Sequence, residues 1–355
     1  MDKNGAMKGC TFLINPTRHP SSAKVLKKIL KRKTDAAVIE SATKEALRDE
    51  VARFCSSSSR YLLLWGGDGT VHEAINSIME NRVPGKALGF LRGGTGNGIQ
   101  DSYEIPHRLS KQISTYTRSV NNNYVEKVDL LKIDIGGRII YGQLLGIGYD
   151  VDVLKIRKLL YFKDIHNSVK PGIRYYILSA FKIFRKFDFR SIPETEILFK
   201  KGKYALKGIK INAEYPFRSL IRRTRSVIIE IGTRPYYGRL FRICPDVVCN
   251  DGNMDAYLYQ LHDHLSVIAN LLSLWKGWQH RINARLAKKK KPLIERYEVK
   301  EAVVKTGVNT DFHIDGELFN TGDSDRIKVS IVPGAIDFLV PESFYQKFHP
   351  FDREL

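Results

Sequence analysis

Two glycine-rich loops carry the residues of this chain whose types and spacing could do chemistry. The first, Gly66-Gly67-Asp68-Gly69-Thr70, follows the apolar run Tyr61 to Trp65 and precedes a helical pattern that starts at Val71. A buried strand, a glycine turn and a helix start gather unpaired backbone N–H groups and the positive end of a helix at one point, which suits an anion and phosphate above all. Glycines let the backbone approach phosphate oxygens, Thr70 can cap the helix or touch phosphate, and Asp68 brings a carboxylate near transferring oxygens. An ordinary tight turn explains the same residues, since Gly-Asp-Gly is common in loops. The second loop, Gly93-Gly94-Thr95-Gly96-Asn97-Gly98, follows the apolar Ala87 to Leu91. Two such junctions in one α/β domain converge at the carboxyl edge of a parallel sheet, where these sheets bind ligands. Neither loop reads GxxxxGK[ST] or GxGxxG, which excludes a Walker ATPase and a dinucleotide-binding Rossmann unit on sequence grounds.

The elements that must position these loops alternate through the first third of the chain. Short apolar runs at Thr11 to Ile14, Ala36 to Ile39 and Tyr61 to Trp65 are separated by helical patterns at Ser22 to Lys31, Lys44 to Phe54 and Val71 to Met79. That alternation predicts α/β units around a mostly parallel sheet. From Lys127 the texture becomes strand-like, at Lys127 to Ile135, Ile139 to Ile147, Glu196 to Phe199, Ser226 to Gly232 and Met254 to Tyr259. Helical segments are expected at Pro171 to Phe187 and His262 to Ala287, and strands close the chain at Arg326 to Val332 and Ala335 to Val340. The fold class is therefore α/β: an N-terminal α/β domain over residues 1–130, a C-terminal β-rich, sandwich-like domain over 131–330 with the active cleft between them, and a segment 331–355 that returns to the first domain. The length of 355 residues suits two cores rather than one.

Composition narrows the partners. Lys and Arg number 58 against 38 Asp and Glu, a formal charge of +20, with the excess in the second half. Such a field attracts nucleic acid, anionic lipid headgroups or nucleotide alike. No window holds the ~18 consecutive apolar residues of a membrane-spanning helix, and the amino terminus lacks a secretory apolar stretch, so an intracellular, cytoplasmic protein is expected. The four cysteines are scattered and suggest free thiols. Nine histidines show no metal-binding spacing, and His19, His72, His166 and His313 read as structural or surface residues.

Further motifs make the pattern specific. Asn15-Pro16-Thr17 after the opening strand, the loops at 66–70 and 94–97, Gly146-Ile-Gly-Tyr-Asp150, Asp251-Gly-Asn-Met-Asp255 and Asp315-Gly-Glu317 stand in order along nearly the whole chain. This series resembles the diacylglycerol kinase catalytic superfamily. The resemblance implies a two-domain lipid kinase that uses ATP with magnesium. It assigns Asn15, Pro16, Thr17, Gly66, Gly67, Asp68, Gly69, Thr70, Gly94, Thr95, Gly96 and Asn97 to ATP. It puts Asp315, with Glu317 beside it, at the catalytic centre as general base, with Asp68 as the rival because sphingosine kinases use the carboxylate of the first loop. Asp129 resembles the family aspartate that organises magnesium and its waters. Asp251, with the backbone of Val248 and Asn253, resembles a structural magnesium site of bacterial relatives, for which a plain hairpin turn is the alternative.

Departures from the family patterns leave the acceptor open. Gly98 after Asn97, His72-Glu73 with Asn76, and Gly148-Tyr-Asp150-Val-Asp152 are similar to sphingosine kinases, in which the counterpart of Asp150 meets the lipid headgroup. The Gly-Gly-Asp-Gly-Thr, Asp-Gly-Asn-Met-Asp and Asp-Gly-Glu segments follow bacterial diacylglycerol kinases instead. An alcohol attacking a γ-phosphoryl must lose its proton, so the chemistry itself asks for a carboxylate and a cation. Two other readings compete: an NAD kinase-type phosphotransferase, which shares the Gly-Gly-Asp-Gly loop, and a non-catalytic basic protein that binds membranes or nucleic acid. A lipid substrate at a membrane surface, anionic headgroups around it and peripheral attachment follow from the lipid reading, which is compatible with a homodimer and disfavours nucleic acid. The run Lys288 to Lys291 suits either a solvated loop or a membrane-facing patch, and the leucines and tryptophans of the preceding helix, Leu271 to Trp278, are expected in the core.

Overall fold

The computed structural model describes residues 7–351 apart from 18, 82, 165–183, 186, 206–213, 239–240 and 262. The chain divides into two compact units, one formed by Met1–Val128 with Gly334–Leu355 and the other by Asp129–Pro333.

The first unit is built from β1 (Cys10–Ile14), α1 (Pro20–Lys33), β2 (Ala37–Glu40), α2 (Lys44–Ser56), β3 (Tyr61–Gly66), α3 (Asp68–Asn81), β4 (Ala87–Arg92), α4 (Gly98–Ser102) and α5 (Leu109–Asn121). β1 and β3 are buried along their whole length. Strands covered on both faces must be apolar at every position, and CTFLI and YLLLWG are the near-continuous runs that result. Local chemistry sets the helix starts: Pro20 opens α1 at a position where its missing N–H costs nothing, and the Thr43 hydroxyl accepts from the Ala46 N–H to cap α2. β1 pairs in parallel with β2 on one side and β3 on the other, and β3 with β4. The order β2-β1-β3-β4 reverses direction between β1 and β3, and a doubly wound sheet opens a crevice beyond the carboxyl ends of its strands at that point.

The second unit begins in β5 (Val125–Ile135) and continues through β6 (Arg138–Gly142), β7 (Leu144–Gly148), α6 (Tyr149–Asp164), β8 (Thr195–Ala205), β9 (Glu214–Thr224), β10 (Ile228–Gly232), β11 (Tyr236–Gly238), β12 (Phe241–Arg242), β13 (Met254–Tyr259), α7 (His264–Trp275), α8 (Gln279–Lys288), β14 (Glu295–Lys305), β15 (Asp311–Ile314), β16 (Glu317–Asn320) and β17 (Arg326–Leu339). The last residues of β17 pair in parallel with β4 in the first unit, which α9 (Glu342–Phe348) completes. Antiparallel pairing runs β16-β15-β7-β10-β13-β14-β8-β9. Alternation along β13 explains how this sheet is covered on both faces: Met254, Ala256 and Leu258 join one core with Ile229, Val299 and Phe312, whereas Tyr257 and Tyr259 join another with Leu274, Ile282 and Leu286 of the helices.

Two expectations change. The strand expected over Ile139 to Ile147 is broken at Gln143 into β6 and β7, and the helix expected over His262 to Ala287 is broken at Gly277 into α7 and α8. Gly277 has φ +70°, and the Trp278 N–H reaches the Ser273 carbonyl while the Gly277 N–H reaches that of Leu274, a Schellman end that only a residue at ease with positive φ can make. The helix expected over Pro171 to Phe187 lies, apart from its last residues, outside the described residues, as does His166. Among the described residues no helix is long and apolar enough to cross a membrane.

Candidate functional site

In the first unit the sheet reversal brings three loop segments together. The Asn15 N–H bonds the Trp65 carbonyl, and Asn15 Nδ2 donates to Thr70 Oγ1 at 3.2 Å, so the turn after β1 is tied to the start of α3. The Asn15 carboxamide oxygen in turn accepts from the Thr17 N–H at 3.1 Å, and the Thr17 hydroxyl donates to the Ala42 carbonyl. Pro16 lies between them, half-buried. Gly66 and Gly67 lead into α3, whose first bonds run from the Thr70 and Val71 N–H groups to the Gly67 carbonyl.

The two glycine loops touch backbone to backbone. A Cβ on Gly94 would collide with Gly67 Cα, and one on Gly93 would lie 2.7 Å from the Gly66 nitrogen. The Gly93 N–H donates to the Gly66 carbonyl at 2.9 Å. Asn97, at φ +56°, closes the second loop by accepting from the Gly94 N–H and donating to its carbonyl, ahead of Gly98 and α4. Asp68 bridges the loops, its Oδ1 accepting from the Ile99 N–H at 2.9 Å. Thr95, partly exposed, and Gly96, buried, sit in the same turn. Behind it, the Arg92 guanidinium pairs with buried Asp101 at 2.6 Å. Glycine is therefore required here for close packing as well as for access, and the loops form one rigid ledge rather than two independent turns.

In the second unit, Asp315 and Gly316 have φ +53° and +87° and join β15 to β16. Positive φ at both central residues is the geometry of a two-residue type I′ hairpin, which Asp-Gly favours. The Asp315 carboxylate is 2% exposed; it accepts from the Gln143 N–H at 3.2 Å and from Arg234 Nη2 at 3.1 Å and Nε at 3.3 Å. It thus satisfies the N–H left over where the strand breaks at Gln143 and neutralises a guanidinium that is itself 1% exposed. Glu317 lies at the hairpin edge, half-buried, 3.5 Å from the Lys158 ammonium.

Asp129 and the Asp251 turn are also brought together. Asp129 is buried on β5 and accepts from the Gly252 N–H at 2.6 Å, while the Asp251 carboxylate accepts from the Asn253 N–H in an Asx turn. Lys300 Nζ donates to the Gly252 carbonyl at 2.6 Å, and Val248 is exposed. Two carboxylates with backbone carbonyls make an all-oxygen donor set of the kind a hard cation accepts.

A cluster that sequence reasoning missed surrounds Asp150. Gly146 on β7 stands opposite Glu230 on β10 and opposite His313 on β15, and Asp150 opens α6 just beyond β7. His313 Nε2 is 2.5 Å from Asp150 Oδ2 and 3.6 Å from Glu230 Oε1, and all three residues are buried. A Cβ on Gly146 would collide with the imidazole and both carboxylates, which gives that glycine its reason. Burial pushes the Glu230 carboxyl up, the Asp150 charge pushes it further and His313 offsets part, leaving it at about 8. Burial acts against the imidazolium, but Asp150 first and Glu230 next outweigh it and hold the His313 pKa at about 10. Among the described residues this is a group whose ligand atoms all lie within 4.8 Å. The signal in sequence was a lone acid inside an apolar strand, Ile228-Ile229-Glu230-Ile231.

Comparison with known proteins agrees with this layout. Residues 10–133 match the family model of the diacylglycerol kinase catalytic domain. A Streptococcus pneumoniae protein is 29% identical over 185 residues, 50% of this chain and 57% of that protein. Staphylococcus aureus SAB0675c is 31% identical over 137 residues, 34% of this chain and 45% of that protein. Bacillus subtilis YtlR is 25% identical over 189 residues, 49% of this chain and 60% of that protein. All three are assigned to the lipid kinases by name. The matched segment thus spans roughly half the length of these curated relatives. A crystal structure of a diacylglycerol kinase from Bacillus anthracis superposes with a TM-score of 0.58 at 14% identity, covering 94% of this chain and 97% of that one, which shows a common fold. Residues 10–133 are thus the segment similar to the diacylglycerol kinase catalytic domain.

Proposed function

We propose that the protein is an ATP-dependent lipid kinase that transfers the γ-phosphoryl group of ATP to the hydroxyl of a diacylglycerol-like or sphingoid-base acceptor. The observation that carries this reading is the ledge formed by the two glycine loops at the sheet reversal, a phosphate-binding geometry in a domain matching a kinase family. In this reading Asn15, Thr17, Gly66 to Thr70 and Gly94 to Asn97 hold the phosphates. The acceptor hydroxyl gives its proton to Asp68 or Asp315 as its oxygen bonds the γ-phosphorus, and the bond to the β-phosphate oxygen breaks to release ADP. Asp129 would help organise the magnesium that offsets phosphate charge, and Asp251, with the carbonyls of Val248 and Asn253, would hold a structural magnesium. Asp150, ion-paired to His313 beside Glu230, is the candidate headgroup ligand.

The test is phosphoryl transfer from radiolabelled ATP with magnesium to diacylglycerol, monoacylglycerol, sphingosine and ceramide in mixed micelles, with NAD offered separately. Labelled lipid that is lost in Asp68→Ala supports the reading and names the acceptor. Labelled NADP, or no product with any acceptor, would overturn it.

A further inference from the structure

The helix α7 is built inside out. Leu265, Ile268, Leu271 and Leu272 are 79%, 59%, 57% and 65% exposed, whereas Asn270 and Ser273 on the opposite face are buried. Positions i, i+3, i+6 and i+7 form one stripe on a helix, so these four side chains share a face. The inner face packs into the second unit's core through Leu274; the Ser273 hydroxyl accepts from Arg285 of α8, and Asn270 Nδ2 donates to the Ser266 carbonyl within α7. A helix of a water-facing domain places its polar residues outward; one whose leucines point out and whose asparagine and serine point in is matched to an apolar medium.

Cations lie beyond the end of this stripe. Lys276 and Arg281 pack on the Trp278 ring at 4.7 and 4.1 Å, while Lys291 is paired with Asp263 at the start of α7 and Arg285 bonds Ser273 on its inner face. Lys288 to Lys290 follow, all exposed. Leucines bounded by lysine, arginine and tryptophan are the composition of a surface that sinks into the headgroup boundary of an anionic bilayer, with the cations held at phosphate level.

We propose that α7 is the membrane-docking element of this protein, inserting Leu265, Ile268, Leu271 and Leu272 into a lipid surface carrying anionic headgroups. The inference deepens the lipid-kinase reading, on which its catalytic consequence rests, but the docking itself is read from exposure and charge and is measured without ATP.

The experiment is sedimentation of the full chain with large vesicles of phosphatidylcholine alone or with about a third phosphatidylserine. The parent binds the anionic vesicles, and salt weakens the binding. Ile268→Glu/Leu272→Glu lowers partition by about a hundredfold, about a factor of ten for each of the two apolar side chains withheld from the bilayer. Lys289→Glu/Lys290→Glu lowers it on anionic vesicles and leaves neutral vesicles unaffected. Unchanged circular dichroism and melting show that the variants fold. Vesicle binding equal to the parent in the leucine variant overturns the proposal. So does a parent dimer that this variant converts to monomer while its vesicle binding persists, since the stripe would then serve a second copy. Transfer to a dispersed short-chain acceptor reads the catalytic reading separately: the leucine variant retains it, and its absence in the parent refutes the kinase reading alone.

Discussion

Asp315→Ala separates the two candidate bases by what each holds up. Asp315 is buried, bonded to the Gln143 N–H and paired through one oxygen with two nitrogens of Arg234, itself buried. Deleting the carboxylate strands a guanidinium in the interior and orphans a backbone donor, which costs about 3–5 kcal/mol for the broken buried pair with about 1 kcal/mol or more for the N–H. Asp68 is half-buried and accepts from the Ile99 N–H, and losing that bond in Asp68→Ala costs about 1 kcal/mol. Urea unfolding followed at the tryptophans reads both, with Trp65 reporting the first unit and Trp275 and Trp278 the second. The expected outcome is a large shift of the second unit's transition in Asp315→Ala and a small shift of the first in Asp68→Ala. The double variant Asp315→Asn/Arg234→Gln removes both charges and is expected to regain most of the stability that Asp315→Ala loses. If it also regains activity, Asp315 is a positioning residue and Asp68 the base; if it stays inactive while stable, Asp315 takes the proton. A second-unit transition in Asp315→Ala that matches the parent would refute the reasoning from burial and pairing.

Other outcomes follow from the same geometry. Asp68→Ala should lower the turnover number by about 10²–10⁴-fold, the range a lost general base spans, while the nucleotide still binds, as checked by calorimetry with ATP. Gly94→Ala forces its Cβ into Gly67 Cα and should separate the two loops, destabilising by about 1–3 kcal/mol and weakening ATP binding, as denaturant and titration curves would show. Stability should fall as pH rises from 5 to 9. The Glu230 carboxyl and the His313 imidazole both hold protons more tightly folded than unfolded, so the folded state carries the extra proton between 4.5 and about 8 for the one and between 6.5 and about 10 for the other. Glu230→Gln, which mimics the protonated acid, should flatten the lower part of that slope in thermal melts, and a melting temperature that rises with pH would contradict the assignment.

The parallel half of the fold was legible in sequence because each strand there is covered on both faces, so Cys10 to Ile14, Tyr61 to Trp65 and Ala87 to Leu91 are unbroken apolar runs bounded by glycine. The breaks in the second unit were not legible from local pattern. Ile139 to Ile147 reads as one strand because the partner that satisfies the interruption at Gln143 is Asp315, distant in sequence. Gly277 was visible as a residue, but its role as a helix end depends on Arg242 and Pro245, against which a Cβ would clash. A single sequence displays the loops that touch their own neighbours and hides the contacts closed from afar.

The same distinction governs the site. The glycine loops announce themselves by composition, whereas the cluster at Asp150 requires three strands to be in register before Gly146 can be seen to make room for Glu230 and His313. Apolar content alone also misplaced Leu271 and Leu272, which were expected in the core and stand exposed on α7. Periodicity identifies the faces of a helix but not which face turns inward. The deciding fact is the neighbour each face meets, and on α7 it is the face with Asn270, Ser273 and Leu274 that meets the protein.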